Sequence, residues 1–225
     1  MSCEILVNIG AQETRVALVE GGAAQEVHLQ RASRHGLTGN IYKGTVQRVL
    51  PGMQAAFVEI GLERTAFLHV SDMVPVVHDG SAPPLINQLL RESQTVLVQI
   101  AKDPIGSKGA RLTTLLSIPS RYLVLLPHEP NVGVSARLED EGERVRLRAI
   151  LEELQQRLAP GFGVIARTAA DGADAAAIET DLLFSLRLWE SVSAAAAHAP
   201  APALVHGDLP LSMRILRDLL GTHVE

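Results

Sequence analysis

Residues 52–72, GMQAAFVEIGLERTAFLHVSD, contain two runs of alternating side chains separated by a turn residue, Gly61. Such alternation is typical of strands that bury one face. Apolar side chains share one face of the two runs: Ala56, Val58, Ile60, Ala66, Leu68 and Val70. The other face combines polar and aromatic residues: Phe57, Glu59, Thr65, Phe67 and His69. Two of the chain's four phenylalanines are therefore predicted to face solvent.

Further strand-like runs lie on both sides of this stretch. Together with its own two, the runs are residues 41–49, 55–60, 65–70, 96–101 and 110–115. Turn residues such as Gly106 separate them, and five short strands so close together predict a small closed barrel. Residues 74–90 interrupt the series and are predicted to form a loop followed by a short helix.

Regular patterns also flank the predicted barrel. Residues 4–30 are predicted to form three short strands with a tight turn at Gly21 and Gly22. Beyond Pro119 we expect three strands, at 122–127, 131–138 and 162–168, and two helices, at 139–158 and 174–197. A linker or extended connection is predicted at 194–203, and an amphipathic helix is predicted to begin within 209–225. With these strands and helices, the chain is assigned to the α+β class.

Composition limits the classes of protein that this chain belongs to. It has 225 residues, 47% hydrophobic and 20% charged, which is enough for one large or two small domains. Its apolar runs are too short to span a bilayer and no secretory signal is recognised, so we expect no membrane association and a cytoplasmic location. Cys3, the single cysteine, excludes an internal disulfide and any zinc site that needs a cysteine pair.

The charge distribution allows a local basic face despite the net charge of −5. All three lysines, Lys43, Lys102 and Lys108, lie in the first half of the chain. Exposed aromatic rings on a small barrel, with cations nearby, are typical of single-stranded nucleic-acid binding. The candidates are Phe57, Phe67, His69, Lys43, Lys108 and Arg111. The alternative is that the two phenylalanines cap the barrel or pack beneath residues 74–90.

A second candidate site is Arg167 with Thr168, in the sequence VIART at residues 164–168. A guanidinium beside a hydroxyl at the end of a strand suits phosphate binding. The alternative is an arginine paired with Asp171 or Asp174. Catalytic patterns are not recognised, because the eight histidines show neither HxH nor HExxH spacing and no GxSxG or phosphate loop occurs.

Several longer motifs resemble the N-terminal half of the ribonuclease E/G family of endoribonucleases, on the G branch. They are LVNIGAQETRVALVEGG at 6–22, GNIYKGTVQRVLPGMQAAFVEIGLERTAFLHVSD at 39–72, KDPIGSKGARLTT at 102–114, PSRYLVLLP at 119–127 and GVIARTAA at 163–170. They occur in order over nearly the whole chain. The second motif is long and specific.

The resemblance implies an architecture. A split ribonuclease H-like subdomain would comprise residues 1–37 and, incompletely, 206–225. An inserted five-stranded S1-type barrel of the OB-fold would span 38–117, and an α/β 5′-sensor domain would span 118–205. Nucleases of the ribonuclease H-like fold carry a metal-binding carboxylate on their first strand, where this chain has Asn8, so this subdomain is expected to be structural.

The resemblance also implies site residues and partners. The family's stacking aromatics correspond to Phe57 and Phe67, and its Arg-Thr pair for a 5′-monophosphate corresponds to Arg167 and Thr168. Backbone contacts from the neighbouring strand would come from Val124 and Ser120, with Arg137 as a further candidate; these three residues complete the implied 5′-phosphate site. Single-stranded RNA bearing a 5′-monophosphate is the implied partner.

The family's Mg²⁺-dependent cleavage centre and its zinc-binding cysteine pair lie further along the chain than this sequence extends. No residue is therefore carried over as catalytic or as a metal ligand, no cofactor is expected, and the chain is expected to be inactive alone. Homo-oligomers are expected of the full-length family. The implied role is the RNA-recognition half of an enzyme of RNA processing, RNA decay and rRNA maturation. The alternatives are a stand-alone RNA-binding module and a protein-interaction scaffold.

Overall fold

The computed structural model of the chain describes residues 3–32, 36–73 and 84–219. These residues form a mixed α+β structure. The strands are β1 Cys3–Ile9, β2 Glu13–Glu20, β3 Ala23–Arg31, β4 Ile41–Leu50, β5 Ala55–Glu59, β6 Ala66–His69, β7 Thr95–Lys102, β8 Arg111–Thr113, β9 Ile118–Pro119, β10 Leu123–Leu126, β11 Val132–Val134, β12 Gly163–Ala166 and β13 Ala203–His206. The α-helices are α1 Ile86–Leu89, α2 Glu141–Leu158, α3 Ala175–His198 and α4 Leu211–Leu219. Among the described helices, none has the length and apolar character needed to cross a bilayer.

The chain divides into two compact units, and the smaller one combines residues 1–36 with residues 208–225. It contains an antiparallel sheet in the order β1-β2-β3. Gly21 and Gly22 join β2 to β3 with φ values of 57° and 81°, the left-handed conformations that a two-residue hairpin turn requires. The predicted strands and turn are confirmed. Helix α4 packs its buried Leu211 and Ile215 against Val16 of β2.

The larger unit, residues 37–207, contains a closed five-stranded barrel. Its strands run in the order β4-β5-β6-β8-β7, and pairing of β7 with β4 closes the ring. All pairs are antiparallel except β6 with β8. Gly109 lies against β6 so closely that a Cβ there would be 2.0 Å from the Thr65 carbonyl oxygen. The five predicted strands and the barrel are thus confirmed.

The barrel interior is filled by the apolar face that the alternation predicts. Its buried side chains are Tyr42, Val46, Ala56, Val58, Ile60, Ala66, Leu68, Ile86, Leu90, Val98, Ile100, Ala110 and Leu112. Ile86 belongs to α1, the predicted short helix, which therefore contributes to this core. The loop predicted before that helix falls mainly on residues 74–83, which lie outside the described residues.

A sixth strand, β13, extends the barrel sheet by pairing antiparallel with the start of β4. Its first residue, Ala203, is the last of the segment for which a linker or extended connection is predicted, and a strand at this place is not predicted. Strand β13 is short and its partner lies far away in sequence, so neither length nor alternation reveals it. The buried Val192 of α3 packs in one cluster with Ile41 of β4 and Leu116, which connects this helix to the barrel.

A second sheet follows in the order β11-β12-β10-β9, with β11 parallel to β12. Helices α2 and α3 bury Leu147, Leu151, Ile178 and Leu182 in the core beside it. Both helices begin after an aspartate that caps them: Asp140 accepts from Gly142 N–H, and Asp174 from Ala177 N–H. These caps explain why α2 starts two residues later than the pattern predicts.

The carboxylate of Glu143, in the first turn of α2, connects this helix to the segment before α3. It accepts two hydrogen bonds from Arg146 and one from Gly172 N–H, at 2.9 Å for the latter. The Arg146 hydrogen bonds and then the Gly172 hydrogen bond lower the pKa of Glu143 to about 2 from a usual value of 4.5. Arg146 also donates to the Ala173 carbonyl at 2.8 Å.

We expect Glu143→Gln to lower the free energy of unfolding at neutral pH. Because the folded-state pKa is depressed, the ionised carboxylate stabilises the fold above pH 4.5, and this contribution disappears as the pH falls towards 2. The stability difference between the variant and the native chain should therefore shrink across that range in urea unfolding measured at several pH values. A pH-independent difference would contradict this account.

Candidate nucleic-acid interface

Phe57 and Phe67 lie directly opposite each other on β5 and β6, on the outside of the barrel. Their ring centroids are 6.1 Å apart at an interplanar angle of 66°, an edge-to-face arrangement. His69 continues the group, with its ring 6.4 Å from that of Phe67 and inclined by 26°. Both phenylalanines are half-buried, so the rings form a continuous aromatic surface that solvent reaches.

Basic side chains continue this aromatic surface on both sides. Arg48 of β4 is the cross-strand partner of Phe57, and Arg111 of β8 is the partner of Phe67. Lys102 of β7 is in turn the partner of Arg111. Direct cross-strand partners share a face of the sheet. The five strands therefore present one row across the barrel, the basic–aromatic row: Arg48, Phe57, Phe67, Arg111 and Lys102.

Arg48 and Lys102 are not among the predicted barrel residues, and β-bulges explain why. Strict alternation places residue 48 on the same face as the buried Val46, but the register shifts between these two residues. A second shift in the pairing register, between β7 and β8, lies between Ile100 and Lys102. Each extra residue at a bulge turns the following side chain to the other face. Both side chains are consequently exposed.

Arg111 is held in place by Asp72. Its Nε donates to Oδ2 at 2.8 Å and its Nη2 donates to Oδ1 at 3.0 Å. This hydrogen-bonded pairing, followed by the charge attraction, raises the pKa of the Arg111 guanidinium. Asp72 uses two of the five guanidinium donors, and 42% of the arginine side chain is exposed. Arg111 is thus a fixed cation beside the Phe67 ring.

The remaining predicted barrel residues occupy different environments. His69 Nδ1 accepts from Ser71 N–H at 3.2 Å, so Nε2 carries the proton in the neutral ring. Lys108 is exposed in the loop between β7 and β8. Lys43 lies near the opposite end of β4 from Arg48, and its ammonium donates to the Ala199 carbonyl at 2.8 Å.

A second group of functional candidates surrounds the turn at residues 120–123, which joins β9 to β10. Asp181 of α3 binds this turn from one side: its carboxylate accepts from Ser120 Oγ at 2.6 Å and from the N–H groups of Arg121, Tyr122 and Leu123 at 3.2, 2.8 and 3.1 Å. Four donors therefore converge on one carboxylate. Asp181 is not among the predicted site residues, because only the packing of α3 brings it to a turn about sixty residues earlier in the chain.

Arg167, directly after β12, binds the same turn through its carbonyl oxygens. Its backbone N–H donates to Tyr122 O at 2.8 Å, and its Nη1 donates to Ser120 O at 2.5 Å and to Arg121 O at 3.3 Å. Ser120 O and Leu123 N–H are the acceptor and donor that normally close a four-residue turn. Here Arg167 contacts the first and Asp181 contacts the second, so the two side chains together hold the turn.

The other predicted residues of this group lie in the turn, on β10, directly after Arg167 and after β11. Val124 is the cross-strand partner of Ile165, two residues before Arg167, and Ser120 is buried in the turn. Thr168 is exposed at the start of a 3-10 turn, Thr168–Ala170. Arg137 follows the adjacent strand β11; it is exposed, and its N–H donates to Ser135 Oγ at 3.3 Å. A guanidinium and a hydroxyl at one strand end are suited to gripping a phosphate.

Replacing Asp181 with alanine should destabilise the chain by about 1–3 kcal/mol, because three backbone N–H groups of the turn lose their acceptor. Urea unfolding would measure the loss. Glu190→Ala is the matched control, since it removes an exposed carboxylate from the same helix. Equal stability of the two variants would show that the Asp181 contacts contribute nothing beyond an ordinary surface charge.

Comparison with known proteins agrees with these features. A family model described as "Ribonuclease E/G family" matches residues 117–225. Ribonuclease G of Haemophilus influenzae is 46% identical in an alignment of 229 positions, gaps included, that covers 99% of this chain and 46% of that protein. Ribonuclease G of Escherichia coli strain K12 is 44% identical in an alignment of 232 positions, gaps included, that covers 100% of this chain and 47% of that protein. Ribonuclease E of the same strain is 39% identical over 222 residues, covering 96% of this chain and 21% of that protein.

This chain spans about half the length of the ribonuclease G proteins that it matches. The similarity nevertheless extends over essentially the whole of the chain itself, through the barrel as well as the second sheet. With the family model matching the second half, it follows that the chain belongs to the ribonuclease E/G family.

Proposed function

We propose that this chain performs RNA recognition for an endoribonuclease of the ribonuclease E/G family. Single-stranded RNA would lie across the barrel, and its 5′-monophosphate would bind at Arg167 and Thr168. The basic–aromatic row supports this proposal most directly, because stacking surfaces flanked by cations match the alternating bases and phosphates of a single strand.

The barrel would bind RNA without reading its sequence. Bases that stack on Phe57, Phe67 and His69 would each contribute about 1–3 kcal/mol, as stacking on aromatic side chains typically does. Arg48 and Lys102 lie at the two ends of the row, where phosphates on either side of the stacked bases would pass. Arg111 and Lys108 would add further cationic contacts. Because all these contacts involve rings or phosphates, sequence preference should be weak.

The 5′-end site would select a monophosphate by charge and size. Arg167 is already oriented by the turn at residues 120–123, so little side-chain entropy would be lost on binding. The Thr168 hydroxyl and the Val124 backbone would complete the contacts, with Arg137 at the edge. Ser120 would contribute by shaping the turn, because its N–H donates to the Leu123 carbonyl at 2.9 Å. A 5′-hydroxyl lacks the anion, and a triphosphate would exceed the space for one phosphate.

The proposal includes an assignment of residues to domains. Residues 38–117 would be the S1-type barrel, residues 118–205 the 5′-sensor domain, and residues 1–37 with 206–225 the ribonuclease H-like part. The Mg²⁺ and Zn²⁺ of the family are not assigned to residues of this chain. Cleavage, assembly into homo-oligomers, and a cytoplasmic role in RNA processing, RNA decay and rRNA maturation are proposed for the full-length protein.

Fluorescence anisotropy with two short RNAs of one sequence tests the proposal, one RNA bearing a 5′-monophosphate and the other a 5′-hydroxyl. We expect tighter binding of the monophosphate, and weaker binding of both RNAs as salt rises. Equal affinities would contradict the 5′-end site while leaving the barrel intact. Absence of salt-dependent binding to either RNA would contradict RNA recognition as a whole and favour a protein-interaction role.

A further inference from the structure

Arg111 lies in the basic–aromatic row between Phe67 and Lys102, and Asp72 pairs with it through two hydrogen bonds. We propose that this pair forms a third base-stacking subsite, in which the Arg111 guanidinium plane contacts a base and not a phosphate. Asp72 is the positioning residue of this subsite. The inference rests on the proposed function and specifies which part of the RNA one of its cations contacts.

Asp72 binds one edge of the guanidinium and leaves the two faces of its plane free of hydrogen bonds. Nε and Nη2, the nitrogens on that edge, donate to the two carboxylate oxygens at 2.8 and 3.0 Å. Such a fork lies in the plane of the guanidinium and fixes its orientation. Of the Arg111 side chain, 42% is exposed. The plane is therefore oriented before RNA binds, which lowers the entropy cost of stacking on it.

The backbone of Asp72 is itself held by the strand that carries Arg111. Its carbonyl accepts from Thr113 Oγ1 and from Thr114 N–H, both at 2.8 Å. Thr113 ends β8, the strand that Arg111 begins. The orientation of the guanidinium consequently follows from the packing of the barrel and does not depend on the RNA.

The charge of the pair disfavours a phosphate at Arg111. The guanidinium and the carboxylate together carry no net charge, and 20% of the Asp72 side chain is exposed. A phosphate close to Arg111 would therefore be repelled by Asp72. A neutral base meets no such repulsion, and bases stack on arginine planes as they do on aromatic rings. Phosphate contacts are left to Arg48 and Lys102 at the ends of the row.

The proposed subsite continues the stacking surface that the phenylalanines begin. The rings of Phe57 and Phe67 are 6.1 Å apart, and Arg111 is the cross-strand partner of Phe67 on the next strand of the barrel. Neighbouring strands lie about 4.8 Å apart. Three planar groups on β5, β6 and β8 thus follow one another across the barrel, an arrangement suited to consecutive bases of one strand.

The salt dependence of RNA binding distinguishes a base contact from a phosphate contact. Each phosphate contact contributes about 0.7 to the slope of log affinity against log salt concentration for a single strand. In anisotropy titrations of a 5′-hydroxyl RNA at several salt concentrations, Arg111→Ala should weaken binding about three- to tenfold without changing this slope. Arg111→Lys should weaken binding as much, because lysine keeps the charge but has no plane on which a base stacks.

Asp72→Asn tests the positioning role. The substitution keeps the size of the side chain and the backbone contacts, but it removes the charge that balances Arg111 and one of the two acceptor oxygens. The guanidinium is then able to bind a phosphate, so the slope should steepen by about 0.7. Weaker binding with an unchanged slope would show that Asp72 only stabilises the barrel, and would overturn its positioning role.

Two control variants calibrate the measurement. Lys102→Ala removes the next cation in the same row and should make the slope shallower by about 0.7. Arg148→Ala removes an exposed arginine from α2 and should change neither the affinity nor the slope. The stacking assignment is overturned if Arg111→Ala makes the slope shallower as Lys102→Ala does, or if Arg111→Lys binds with native affinity.

Failure of this inference differs from failure of the proposed function. If both Arg111 variants bind as tightly as Arg148→Ala while Phe57→Ala weakens binding, the third subsite is absent and the barrel remains an RNA-binding surface. If the native chain shows no salt-dependent binding of RNA, the proposed function fails and the inference fails with it.

Discussion

Replacing Arg167 with alanine is expected to abolish the proposed preference of this chain for RNA with a 5′-monophosphate. The guanidinium would donate at least one charge-assisted hydrogen bond to the phosphate. Each such hydrogen bond contributes about 1.5–3 kcal/mol to the binding free energy. Affinity for 5′-monophosphorylated RNA should fall about 10- to 100-fold, to the level of the 5′-hydroxyl RNA, since 1.4 kcal/mol corresponds to a factor of ten. Anisotropy titrations with the paired RNAs would measure both affinities.

Arg167 also holds the turn at residues 120–123, so its loss has a structural effect that must be separated from its effect on binding. Arg148→Ala is the matched control, because Arg148 is an exposed arginine on α2 in the same unit. Affinity for 5′-hydroxyl RNA, which in the proposed function involves the barrel and not the 5′-end site, should stay unchanged in both variants. If Arg167→Ala retains the native preference for the monophosphate, the phosphate does not bind at Arg167.

Replacing Phe57 and Phe67 with alanine, singly and together, should weaken RNA binding whatever the chemistry of the 5′ end. Each lost stacking contact is expected to reduce the affinity by about 1–3 kcal/mol, or roughly fivefold to more than a hundredfold. The double variant should lose less than the sum of the single losses, because the two rings touch and stabilise each other. Titrations with 5′-hydroxyl RNA isolate this effect from the 5′-end site.

The two rings also stabilise the outer face of the barrel, so folding must be checked independently. Phe→Leu at each position retains an apolar side chain on the strand but removes the ring, and should bind RNA nearly as poorly as the alanine variant. Val145→Ala, which truncates a 61% exposed side chain on α2, serves as the control for a surface substitution. Native affinity in well-folded Phe→Leu variants would exclude stacking on these rings.

These two predictions concern different surfaces of one unit and should be separable. In the proposed function, Arg167 would determine the discrimination between RNA ends, whereas Phe57 and Phe67 would determine affinity for any single strand. An additive effect of Arg167→Ala and Phe57→Ala on binding of 5′-monophosphorylated RNA would show that the surfaces act independently. A smaller combined loss would show that the RNA does not engage both surfaces at once.

Local patterns in the sequence were sufficient to predict most of the fold. Alternation in residues 52–72 predicted which side chains fill the barrel. Side chains of a strand alternate between its two faces, so the apolar face is the one that is buried. The glycine pair at residues 21 and 22 predicted a two-residue turn, since few other residues adopt both of the required left-handed conformations. Asp140 and Asp174 show the limit of this approach, because a cap shifts the helix start by one or two residues without altering the apolar period.

The site residues depend on longer-range structure to different degrees. Phe57 and Phe67 were selected from alternation alone, whereas Arg167 became a strong candidate only through the family resemblance. Their roles stay predictions until RNA binding is measured. Arg48 and Lys102 escaped selection because bulges shift the register within their strands, and a bulge leaves no clear mark on hydrophobic alternation.

The sequence by itself determined the α+β class, the barrel strands and their buried faces, and the family, because each of these depends on neighbouring residues or on contiguous motifs. Tertiary structure alone decided that β13 joins β4, that Lys43 donates to Ala199, and that Asp181 and Arg167 hold one turn between them. Those contacts join segments far apart in the chain. They form only after the sheets and helices have packed, so no local period or propensity encodes them.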